Sequence, residues 1–145
     1  MQHATYEDAS LVLRLYELRR EEKLRKAREW FLRDFKATSA RELEQKYPYG
    51  SEENAYYRMV VSYWDMAASF LVQEIVHDEL FFSSNGELLA VWEKIKPFVE
   101  ELRTAIKNPL AFRNLEKAAA RHIGWMQANA PGAYEAWLAR MKARG

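Results

Sequence analysis

Apolar residues along this chain recur at spacings of three and four rather than two, which is the signature of amphipathic helices. The first such stretch spans Asp8 to Lys36, with Asp8 placed to cap it and Glu21–Arg25 and Glu22–Lys26 as acid-before-base pairs. It carries two apolar stripes. Leu11, Leu15 and Leu18 form one and Leu24, Phe31 and Phe35 the other, and at about 100° per residue they point in nearly opposite directions. Nine of the eleven residues from Arg19 to Glu29 are charged and separate the stripes. Either the helix breaks there or its two halves meet different partners; with no Gly or Pro to offer a break, the second reading is favoured.

Ser39-Ala-Arg-Glu42 is a capping box and predicts a short helix over Ala40–Lys46, before a turn at Tyr47-Pro48-Tyr49-Gly50. Ser51 then caps a helix from Glu52 to Val76 whose polar stripe is narrow: Arg58, Ser62, Asp65 and Ser69. Apolar over most of its circumference, it is the expected centre of the core. A short helix or turn follows at Asp78 to Ser83. A helix over Glu87–Ile106 contains Pro97 and should kink near Lys94 to Lys96. Asn108-Pro109 reads as cap and first position of a helix to about Ala128. Beyond Ala130-Pro131-Gly132, a last helix carries Tyr134, Trp137, Leu138 and Met141. The expectation is an all-α, single-domain bundle of five to seven helices over residues 1–145, with residues 1–7 a flexible tail.

Composition narrows the function classes. The chain has 145 residues and no cysteine, which removes disulfides, thiol catalysis and thiolate zinc sites. Its longest uncharged run is 13 residues, His122 to Tyr134, too short to cross a bilayer. No basic-then-apolar leader opens it, so a cytoplasmic location without membrane contact is expected. Lys and Arg total 22 against 21 Asp and Glu, yet the balance is uneven: +2, −6 and +5 over residues 1–50, 51–100 and 101–145.

Several residues invite chemistry. Arg19, Lys23, Lys26, Trp30 and Arg33 share one side of the first helix, a basic stripe with an aromatic in it that could meet nucleic acid or another polyanion. A solvated face is the commoner meaning of such a stripe. Glu74-Ile-Val-His77 has the E-x-x-H spacing of di-iron bundles, but those need two such pairs and the chain has one. Asp65, on the core helix, reads as a carboxylate held by a basic neighbour, Arg103 being the best placed. Asp65, Glu74, His77 and Arg103 are thus the polar candidates. None forms a recognisable catalytic or metal motif, no cofactor is implied, and the case for an enzyme is thin. Aromatic residues, at 14%, exceed what a core of this size needs. Together with the opposed stripes they favour an interaction module that self-associates, most simply as a homodimer, through Leu11, Leu15 and Leu18. Polyanion binding is the alternative, and a ligand- or metal-binding helical protein the third reading.

From Met59 to about Arg121 the chain resembles a family of uncharacterised bacterial helical domains of unknown function. The likeness rests on Ser62-Tyr-Trp-Asp-Met-Ala67, Asp78-Glu-Leu-Phe-Phe82, Trp92 to Arg103 and Asn108-Pro-Leu-Ala-Phe112. Members of such families often place a membrane-spanning helix before the basic segment. Here Leu11 to Leu18 is too short for that and holds Arg14 and Glu17. The resemblance implies an all-helical fold and carries no activity or catalytic residue with it.

Overall fold

A computed structural model describes residues 3–144. Among these residues the secondary structure is entirely helical: α1 Tyr6–Arg19, α2 Glu22–Asp34, α3 Ala40–Lys46, α4 Glu52–Val72, α5 Asp78–Ser84, α6 Glu87–Ile106, α7 Arg113–Asn129 and α8 Ala133–Arg144. The helix count exceeds the expected five to seven because the long first helix is two helices.

The break falls at Arg20–Glu21. Arg20 ends α1 in helical geometry, and Glu21 is extended (ψ 137°) before α2 begins. Its own carboxylate accepts the Lys23 and Leu24 backbone N–H groups at 3.1 and 2.9 Å, so a glutamate performs the capping usually left to shorter side chains. The corner reconciles the opposed stripes. It turns Leu15 and the Leu24–Ala27–Phe31 face into the same core, which a straight helix would not allow.

Three other boundaries move. Thr5, not Asp8, caps α1; Asp8 completes a capping box by accepting the Thr5 N–H at 2.7 Å. Helix therefore replaces the expected tail from Tyr6 onward, and Met1 and Gln2 lie outside the described residues. α4 stops at Val72, with Glu74 in left-handed backbone (φ 60°) and the Ile75 N–H turned back onto the Phe70 carbonyl. Asn108-Pro109 opens a turn instead of a helix: Asn108 Oδ1 accepts the Leu110 N–H, and α7 starts only at Arg113. α6 continues as one helix through Pro97.

α4 is central, as its wide apolar face predicts. Val60, Trp64, Ala67, Ala68 and Leu71 are sealed from solvent between α2 on one side and α7 on the other. Ala118 and Ala119 let α7 come close, while α6 closes the core with Leu88, Val91, Ile95 and Phe98. Much of the aromatic surplus is internal. Phe35 stacks on Phe31, Tyr47 and Tyr57 at centroid distances of 4.6, 5.3 and 5.5 Å, with Phe98 tilted against it at 6.2 Å. α1 and α8 lie at the periphery, α1 against α5 and α8 against α7.

Candidate functional site

The expected basic stripe does not survive the corner. Arg19 points inward and is only 7% exposed. It donates to Asn85 Oδ1 at 2.8 Å and to the Tyr63 hydroxyl at 3.3 Å, with its guanidinium over the Trp64 ring at 5.0 Å. Beside it Arg28, absent from the sequence candidates, grips Glu87 through two N–H groups at 2.8 and 2.9 Å and donates a third to the Arg19 carbonyl. Glu87 also accepts the Trp64 indole N–H at 2.9 Å. This half-sealed network pins the α1–α2 corner to α4 and to the start of α6. Its members are all engaged with one another, so it is a structural lock.

Lys23 and Lys26 remain exposed on α2. Trp30 packs inward against Phe35 and Tyr47, and Arg33 is at the surface, paired with Glu29 and Asp34. Of the supposed interface, Leu15 is 1% exposed and belongs to the core, Leu11 is half-buried against it, and Leu18 is open to solvent.

Asp65 and Arg103 do not meet. Arg103 donates to the Ala111 carbonyl and pairs with Glu100 and Glu116. Asp65 accepts the Leu115 backbone N–H at 3.0 Å, thereby capping α7 from another helix. Phe112, the residue before α7, has no side chain able to do so. Burial pushes the Asp65 carboxyl above its ordinary range, and the Leu115 bond only partly offsets it. Glu74 and His77 do not share a helix face: Glu74 is in the turn after α4, while His77 caps α5 through its ring, accepting the Leu80 N–H. Among the described residues no three His, Cys, Asp or Glu side chains gather as metal ligands would.

Three surface features remain. An open groove of about 730 Å³ runs along α4 past Arg58, Met59, Ser62 and Asp65, bounded by Lys23 and Phe112. A more enclosed cleft of about 750 Å³ lies between the end of α2, the 35–38 link, α6 and α8. Arg33, Lys36, Lys94, Arg140, Lys142 and Arg144 line it against one carboxylate, Glu93. Sequence reading missed it because its basic residues are scattered from 33 to 144; the +5 charge of the last third was the available signal. Third, the outer side of α1 exposes Tyr6, Leu13 and Tyr16.

The fold is all-helical among the described residues, and its open features are two grooves and the outer side of α1. The chain belongs to the family described as a domain of unknown function (DUF4760), which matches residues 4–122. That match reaches back through α1, well before Met59, and ends within α7. Nothing among curated proteins or solved structures matches the chain. No helix among the described residues is long and apolar enough to cross a membrane.

Proposed function

We propose that this domain is a non-enzymatic interaction module that pairs with a second copy of itself through the outer face of α1. One observation carries the reading: α1 sits at the rim and presents a row of large apolar side chains to solvent, Tyr6 at 88% and Leu13 at 60% exposure, with Tyr16 beside them. At about 100° per residue Leu13 lies nearly beneath Tyr6, and Tyr16 flanks it. Such a contiguous patch on a small domain is a docking surface more often than an accident.

A second copy fits because the face is self-complementary. Tyr6 and Arg20 stand seven residues either side of Leu13. Two α1 helices pairing antiparallel about a two-fold axis at Leu13 would set Leu13 on Leu13 and each Tyr6 beside the other copy's Arg20, an aromatic–cation contact made twice. Arg20 already rests over the Tyr16 ring at 5.7 Å, so its guanidinium is held on this face. The expected module is therefore a homodimer built on α1, with Tyr6, Leu13 and Tyr16 in place of the buried Leu15.

Light scattering across a concentration series tests this. A mass rising toward twice the chain mass, and reverting to one chain in Leu13→Glu with its helical circular dichroism intact, is the expected result. A single-chain mass at every concentration would overturn it.

A further inference from the structure

We infer that the basic cleft between α2, α6 and α8 is a binding site for a small phosphorylated ligand with a flat ring, of which a nucleoside diphosphate is the simplest example.

The charge on its walls is unbalanced. Arg33 is engaged by Glu29 and Asp34, and Lys94 donates to the Phe35 carbonyl at 3.0 Å. Lys36, Arg140 and Lys142, in contrast, make no salt bridge among the described residues. The one carboxylate in the lining, Glu93, accepts the Tyr134 hydroxyl at 2.8 Å. Cations facing a concave cleft focus a positive potential that an anion would relieve. Burial first, and then Lys36, hold the Lys94 ammonium below the usual lysine range, with Asp34 acting the other way.

The geometry selects among anions. Lys36 stands on one wall and Arg140 and Lys142 on the other, so the site suits a ligand with charge on more than one face, as a diphosphate has. On the α8 wall the half-buried Trp137 lies one helical turn from Arg140, stacked on Tyr134 at 6.0 Å and 28°. An indole at that position offers a surface for a planar ring while the cations hold the phosphates. A volume of about 750 Å³ falls within the range of small-molecule pockets. The cations converge across a cleft rather than lining a track, which favours a small ligand over a nucleic-acid strand. The α2 and α6 walls lie within the residues matched by the family, which end at 122, and the α8 wall lies beyond them.

Titrating the full chain with ADP, and separately with pyrophosphate, by calorimetry tests the inference. Both should bind, and added salt should weaken both. Arg140→Glu with Lys142→Glu should weaken both at least about tenfold; α8 has no fully buried residue, so the fold should persist by circular dichroism. Trp137→Ala should weaken ADP and leave pyrophosphate unchanged. Leu13→Glu, which tests self-association, should bind ADP as wild type does. Absence of binding by either probe, or wild-type affinity in the charge-reversed variant, would overturn the site. So would a single-stranded oligonucleotide or anionic phospholipid vesicles binding through Arg140 and Lys142 while ADP does not. Equal loss of ADP and pyrophosphate in Trp137→Ala would overturn the ring-bearing ligand.

Discussion

Asp65 and Leu115 are fifty residues apart, yet the Asp65 carboxylate accepts the Leu115 backbone N–H at 3.0 Å and serves as the missing cap of α7. The partner of this half-buried acid is the positive end of a helix rather than a basic side chain. Asp65→Ala should cost about 1 kcal/mol, the usual size of a lost N-cap, read by urea unfolding. Asp65→Asn keeps the accepting oxygen and removes the charge. Because the folded carboxyl holds its proton more tightly than the unfolded one, the charge opposes folding at neutral pH. That opposition fades as pH falls through the folded value towards the ordinary 3.8. The stability of Asp65→Asn relative to wild type should therefore be most favourable at pH 7 and decline on acidification. A difference that does not change with pH would show that burial does not govern this group.

Arg28 is the hinge pin of the corner. It holds Glu87 bidentately and the Arg19 carbonyl at 3.0 Å, with its side chain 23% and that of Glu87 17% exposed. Arg28→Ala strands a largely desolvated carboxylate and should cost about 2 kcal/mol, less than the roughly 3–5 of a fully buried pair. Arg28→Lys should recover only part of this, since an ammonium does not span both carboxylate oxygens. Thermal unfolding of the two variants distinguishes them; equal stability would mean the pair contributes charge alone.

Leu13 and Leu15 are two residues apart and face opposite environments. Leu15→Ala should lose about 3 kcal/mol by opening a cavity beneath α1. Leu13→Ala should stay within about 0.5 kcal/mol, as exposed positions do. Denaturant midpoints at concentrations low enough to keep the chain single decide this, and a large loss at Leu13 there would mean that it packs within its own chain.

The helical class, the central place of α4 and the starts of α3 and α4 were legible because local signals set them: Ser39 and Ser51 each cap the helix that follows. What was missed depends on distant residues. α7 begins at Arg113 because Asp65 caps it there, and no local pattern near Asn108 reports that. The corner at Glu21 needed neither Gly nor Pro, only one extended residue and a glutamate reaching its own helix. Two opposed apolar stripes fit either one helix with two partners or a break, and the absence of Gly and Pro favours the first, whereas here they mark a corner that folds both onto one core. Breaking the helix there turned Arg19 inward and dissolved the basic stripe, and only Arg33 of that set lines the basic cleft.

His122 supplies an acid-sensitive contact. It is buried on α7, its ring stacked on Phe82 at 4.6 Å and 11°, with Trp125 at 6.0 Å. Burial lowers its proton affinity below the ordinary 6.5, so it is held neutral in the folded chain. The unfolded chain then binds the extra proton more readily. Stability from this group is complete above the ordinary value and is lost as pH falls below it toward the folded one. Charging the ring between two aromatic faces should loosen α7 from α5. His122→Phe keeps the stack without the titration, so its stability should fall less than that of wild type from pH 7 to pH 5. Parallel pH profiles for the two proteins would assign the acid sensitivity to other groups.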